Sequence, residues 1–392
     1  MSSAVRLDRT RARLETLACA GIDSFEFREQ ALIELRRVIP HDYGMLWTTD
    51  PATGFFTSAM PNSTVDDPDM VYCRMSHRNE FVEPDFNKFR VLARLPRHVG
   101  VLSQATGADL GRSARYRTML QPLGFEHELR LALVDSSMCW GAVMLWRAAD
   151  SPDFTEDDQT AAAQLGPSLA SGLRVAMIVG AGETGWTPDG PGLILLDDGY
   201  AIRSMTPGAQ RWLAELDPSP LGLPEPVVAV AASLANDASG SAPTWLTPWA
   251  RVRGRAGRWI MIHGSRTQHA EGGEASTAII IEEAKAAEIA PIIVSAYRLS
   301  EREAEVTRLI LHGLSTKEIA AEMYLSAYTV QDYLKAIFDK VGVRSRRQLA
   351  ARLYEEHYWP SYGRGELHPD TTGAPTAFRD DDGAETERPR GE

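Results

Sequence analysis

Between Leu299 and Leu349 the chain repeats one arrangement: a capping residue, a short apolar stripe and a residue that stops a helix. Ser300 stands three residues before Glu303, and Ser315 three before Glu318. Each pair can form a reciprocal capping box, in which two otherwise orphaned N–H groups are satisfied. Ser326 caps a third helix, and Ser345 with Gln348 makes a further capping box that opens a fourth. Gly313 and Gly342 fall where the stripes end, free to take the left-handed backbone of a helix terminus. A segment so punctuated packs as short helices joined by tight turns.

The third of these helices is the most informative. With Val330 as origin and about 100° per residue, Leu334, Ile337 and Val341 lie within about 40° of it. Asp332, Lys335, Ala336 and Asp339 point the other way, and Gln331 and Tyr333 flank them. Ala320, in the preceding helix, is small enough for two helices to cross closely. A narrow apolar spine opposite a polar face suits the second helix of a helix-turn-helix, lying in the major groove of DNA.

Charge supports that reading. The 392-residue chain carries a net charge of −12, yet Tyr297 to Tyr354 holds ten basic against seven acidic side chains. That segment is therefore about +3 and the remainder about −15. An acidic body would resist indiscriminate contact with phosphates and leave the C-terminal module as the attractive part.

The stretches "LSEREAEV", "GLSTKEIA", "LS..TV" and "I..KVGVRSR" together resemble the LuxR-type helix-turn-helix family over about fifty contiguous residues. The resemblance implies that the helix starting near Ser326 is the recognition helix and that Gln331, Asp332 and Lys335 face bases. It also implies that the helix after Ser345 dimerises. Lys is usual in that family where this chain has Gln331, and His where it has Tyr333. Gln prefers adenine, Asp can accept from cytosine N4, and Lys335 is expected to reach a guanine edge or a phosphate. A shifted operator sequence, or weakened binding, follows from these departures. Lys317, Ser326, Thr329, Lys340, Arg344, Arg346 and Arg347 are expected on phosphates, which position a protein without reading sequence.

The remaining chain reads as α+β. Residues 1–180 show a helix carrying Phe25, Phe27, Ala31, Leu32, Leu35 and Val38, stopped by Pro40. A hairpin follows at YGMLWTTD–PATG–FFTSAM, then a charged, weakly patterned stretch to about Arg97. HELRLALVDSSMCWGAVMLWR is a second hairpin turning at Asp135–Ser137. A helix capped by Asp153 or Thr155 closes the block, with acids in its first turn to suit the helix dipole. The order resembles a GAF domain, with an antiparallel sheet and flanking helices.

Residues 181–192 are rich in Gly and Pro and read as a linker. In 193–290, a strand, the turn Asp197–Asp198–Gly199, a second strand and a helix starting at Thr206–Pro207 resemble the opening of a smaller, PAS-like α+β domain. A loop of small residues, SLANDASGSAP, precedes a hairpin and a last strand. The helix-turn-helix module spans 296–356 as an all-α four-helix domain. Residues 359–392 are too poor in apolar residues to fold and read as a disordered tail.

Several classes are disfavoured. No apolar run approaches the ~18 residues of a membrane span, and the N-terminus has no continuous apolar core of a secretory signal. Cys19, Cys73 and Cys139 are scattered and odd in number, making neither a disulfide framework nor a zinc cluster. HExxH, GxSxG and GxxxxGK[ST] are absent, so no enzyme is expected and no cofactor or metal is called for. His41, His77, His98 and His127 are dispersed. Trp140, Trp146, Trp212 and Trp259 suit a core. The chain is expected to be a cytoplasmic, homodimeric regulator binding double-stranded DNA, with RNA polymerase as a further partner. Its front blocks either sense a small molecule or dock a partner protein, with a haem or metal sensor as another arrangement.

Overall fold

The computed structural model describes residues 3–62, 71–178, 190–217, 223–234, 248–267 and 276–357. The linker expected at 181–192 lies outside them up to residue 189, as do most of the small-residue loop and all of the tail from 359. The chain divides into two compact units, Met1–Ala284 and Lys285–Glu392.

The first unit opens with α1 (Ser3–Ala18) and α2 (Ser24–Val38), then β1 (Tyr43–Thr49) and β2 (Phe56–Pro61). After α3 (Val71–Phe81), α4 (Phe89–Leu92), β3 (Val99–Val101) and α5 (Leu102–Thr106) come three short turns of helix between Leu110 and Leu123. The long hairpin β4 (Phe125–Asp135) and β5 (Met138–Ala148) precedes α6 (Glu156–Ala176). Ser136 and Ser137 both take positive φ, 53° and 66°, as a two-residue hairpin turn demands. Thr155 caps α6 in a capping box with Asp158.

These strands form one antiparallel sheet in the order β2-β1-β5-β4-β3. Alternation sorts the strand residues onto two faces. Leu129, Leu131, Leu133, Val143 and Leu145 pack with Phe27, Leu32 and Leu35 of α2 and Leu165, Leu169 and Leu173 of α6. Phe25, expected in the α2 stripe, is instead 55% exposed, because it belongs to the first turn beside the cap Asp23. Gly172 lets α6 approach α2: a Cβ there would lie 2.2 Å from the Phe27 ring.

The opposite face is covered too. Tyr43, Met45, Trp47, Met144 and Trp146 meet Phe56, Phe89, Leu92, Met119 and Leu120. Within this layer the polar residues of β4 are buried rather than solvated. Glu128 accepts two parallel bonds from Arg115, Nε to Oε1 at 2.9 Å and Nη2 to Oε2 at 2.6 Å. Arg130 donates to Glu80 Oε2 at 2.9 Å and stacks over Phe89. The weakly patterned stretch before Arg97 therefore contains α3 and α4, which form this second layer.

The second sheet follows β6 (Gly192–Leu196), β7 (Ile202–Met205), α7 (Pro207–Glu215), α8 (Glu225–Leu234), β8 (Trp249–Arg253), β9 (Trp259–Arg266) and β10 (Thr277–Glu283). Its antiparallel order is β7-β6-β10-β9-β8. The turn at Asp197 is held by its own side chain, whose Oδ1 accepts from the N–H groups of Gly199 and Ala201. Thr206 caps α7 with Pro207 first in the helix, where a missing N–H costs nothing. Ile194, Leu196, Ile260, Ile262, Ile279 and Ile281 pack beneath Trp212, Val227, Val228 and Val230.

Ser233 and Leu234, read as the start of a loop, finish α8. Every described α8 residue except Ser233 is buried, so the helix has no polar stripe to betray it. It packs on β8, β9 and β10 on one side and on α3 and β2 on the other. The two sheets accordingly belong to one unit. No described helix is long and apolar enough to cross a membrane.

Candidate nucleic-acid interface

The second unit holds α9 (Ala286–Ala296), α10 (Glu301–Leu311), α11 (Thr316–Glu322), α12 (Ala327–Val341) and α13 (Arg346–His357). The anticipated capping boxes form at Ser300–Glu303 and Ser315–Glu318. Ser326 Oγ accepts from the Thr329 N–H at 3.0 Å. The fourth helix starts differently from expectation: Gln348 N–H donates to Ser345, but the Gln348 carboxamide accepts from Arg344 N–H rather than closing on Ser345. Gly342 ends α12 at φ 72°, its N–H donating to Phe338.

Val330, Leu334, Ile337 and Val341 are buried, joined by Ile319 and Ala320 from α11, Met323 at its C-terminal cap, and Val306, Leu309 and Ile310 from α10. Burial of this spine fixes the rotation of α12 about its axis. Gln331, Asp332 and Lys335 are consequently exposed together on the far side. Lys317, Arg344 and Arg347 are exposed as well.

Four of the anticipated phosphate contacts have internal partners. Lys340 Nζ lies 2.5 Å from Glu303 Oε2, tying α12 to the first turn of α10. Burial pushes the Glu303 carboxyl up, but the hydrogen bonds from Lys340 and Ser300 outweigh it and hold the group below the usual carboxylate range. Arg346 Nη2 donates to the Leu314 carbonyl at 2.7 Å. The Ser326 and Thr329 hydroxyls lie 2.9 Å apart at the α12 cap. These residues hold the module together.

Two side chains escaped the sequence reading. Tyr324, in the turn between α11 and α12 at φ 55°, is 96% exposed, and Tyr328, in the first turn of α12, is 76% exposed. Tyr328 precedes Gln331, Asp332 and Lys335 by three, four and seven residues, the spacing of one helix face. That spacing was the available signal. Aromatic rings this exposed have no role in the core they adjoin.

The arrangement defines a helix-turn-helix module with its second helix presented to solvent. The model of the bacterial regulatory proteins, luxR family, matches residues 297–353. The spore germination protein GerE of Bacillus subtilis is 38% identical over 55 residues, which are 14% of this chain and 74% of GerE. The probable HTH-type transcriptional regulator GfsR of Streptomyces halstedii is 48% identical over 54 residues, 14% of this chain and 22% of GfsR. The chain belongs to the luxR family of bacterial regulatory proteins, and the match lies within its second unit. It spans about a fifth of the length of GfsR. Among solved structures, the VqmA dimer of Vibrio cholerae is 18% identical, with 42% of this chain and 81% of that chain covered at a TM-score of 0.20.

Proposed function

We propose that the protein is a sequence-specific DNA-binding transcriptional regulator whose first unit controls its second. The supporting observation is the exposed stripe of α12, which carries Tyr328, Gln331, Asp332 and Lys335 opposite a buried spine. In the major groove Lys335 reaches a guanine edge, Gln331 an adenine and Asp332 a cytosine amino group. Lys317, Arg344 and Arg347 supply phosphate contacts. The chain acts as a homodimer on double-stranded DNA in the cytoplasm, communicates with RNA polymerase, and has no catalytic step.

The first unit has GAF-like and PAS-like order and serves as the receiver of a signal. A small-molecule effector is the first reading. A protein-docking role is favoured by one observation: Leu193 and Ile280, cross-strand neighbours on the second sheet, are each 39% exposed.

Selection of binding sites from random duplexes, followed by salt titration of the selected site, tests the proposal. A single enriched motif is expected, with affinity falling steeply as salt rises. Failure to enrich any sequence would overturn it. Effector and docking roles separate on whether metabolites shift intrinsic tryptophan fluorescence or a second protein co-purifies.

A further inference from the structure

The first unit concentrates positive charge at a place far in sequence from α12. Arg6, Arg9, Thr10 and Arg13 share one face of α1, at helical spacing. With Glu34 and Arg37 of α2 they line a cleft of about 310 Å³. Four guanidinium groups there face one carboxylate, in a chain whose net charge is −12. Glu34 Oε1 accepts from Arg13 Nη1 at 2.8 Å and also from Arg37.

Two of the arginines have an ordinary structural account. Arg37 sits in the last turn of α2, where a cation offsets the helix dipole, and Arg13 is paired with Glu34. Arg6 and Arg9 have none. Neither makes an ion pair among the described residues. Both lie in the N-terminal half of α1, and its first turn holds no acidic residue. The positive end of a helix disfavours cations. Arg6 and Arg9 are therefore exposed cations without an acidic partner on the rim of a concavity, and an anion seated there would neutralise them.

We propose that this cleft binds a small, multiply charged phosphate-bearing ligand. Guanidinium forks match phosphate oxygens in pairs, and Thr10 can add a hydroxyl. The volume stands at the lower end of small-molecule sites, about 300–1,000 Å³. The acidic remainder of the chain argues against a long polyanion, whose phosphates would continue past the cleft onto like charge. The site is independent of the DNA-reading proposal, and either can fail alone.

The test is calorimetric titration of the full chain with inorganic pyrophosphate at low salt. Binding is expected, weakening as salt rises. The double variant Arg6→Gln/Arg9→Gln removes no ion pair. It should keep the wild-type melting curve and its affinity for the selected DNA duplex while binding pyrophosphate at least about tenfold more weakly. Absence of binding at millimolar pyrophosphate would overturn the proposal, as would unchanged affinity in the variant. Loss of duplex affinity with pyrophosphate binding retained would assign the cleft to DNA and overturn it equally.

Discussion

Asp50 and Arg251, 201 residues apart in sequence, meet as a buried two-pronged pair. Arg251 Nε donates to Asp50 Oδ2 and Nη2 to Oδ1, each at 3.0 Å, and the Arg251 backbone N–H donates to Oδ2 at 2.8 Å. The aspartate directly follows β1 and the arginine lies in β8. Their side chains are 0% and 3% exposed, so neither charge has water as a substitute partner. Removing one partner of such a pair strands the other, at a cost of about 3–5 kcal/mol. Asp50→Ala should lower the unfolding free energy of the first unit by that amount, read from urea denaturation. Adding Arg251→Met should recover part of the loss. A change below about 1 kcal/mol would contradict a desolvated pair.

On α12, Lys335→Ala should weaken binding to the selected operator by about 1–3 kcal/mol and relax preference at one base pair. Arg346→Ala should behave otherwise. Its guanidinium supports the Leu314 carbonyl, so the change should cost about 1 kcal/mol of fold stability. Fluorescence anisotropy beside thermal melting separates the two effects.

Tyr328 offers both a ring and a hydroxyl. Truncation at an exposed position changes folding stability by less than about 0.5 kcal/mol. Tyr328→Ala should therefore leave the melting temperature unaltered while reducing operator affinity. Tyr328→Phe keeps the ring. Retained affinity in the phenylalanine variant would assign the contact to a thymine methyl or sugar, whereas loss would assign it to a phosphate. Wild-type affinity in the alanine variant would remove Tyr328 from the interface.

His41 gives the first unit a pH dependence. The side chain is 4% exposed, and its Nδ1 donates to the Ile39 carbonyl at 2.7 Å. Burial pushes its pKa down to about 4, against the partial opposition of that hydrogen bond. Unfolded, the imidazole titrates near 6.5. Between those values the unfolded chain binds a proton that the folded chain does not. The contribution is fully present above about pH 6.5 and is lost as pH falls towards about 4, at up to about 1.4 kcal/mol per pH unit. Urea midpoints measured from pH 7 to 5 should show this slope, and His41→Gln should flatten it.

What the sequence made legible followed from local chemistry. The caps at Ser300, Ser315 and Ser326, the Asp197 turn and the Thr206–Pro207 helix start are each written within a few neighbouring residues, and each forms. The alternation of β4 and β5 located the hairpin but did not say what covers its polar face. Glu128 and Arg130 lie on that face, where Arg115 and Glu80 neutralise them inside a second layer. Ion pairs between residues 13 and 50 positions apart leave no periodic trace. α8 was hidden for the opposite reason, since a helix buried on all sides has no amphipathic period. At the interface, the spine of α12 was readable. The engagement of Lys340 and Arg346 was not, because it depends on where α10 and the α10–α11 turn come to rest.

The position of α8 sets the cooperativity of the first unit. Its valines and alanines are core to the second sheet, and its other side closes over α3 and β2. Cutting the chain before β6 would strip an apolar lid from β2. Cutting after α6 would leave the second sheet with a helix coated in grease on its outward side. The halves are therefore expected to melt together, and a perturbation that loosens one sheet should be felt by the other through a shared wall.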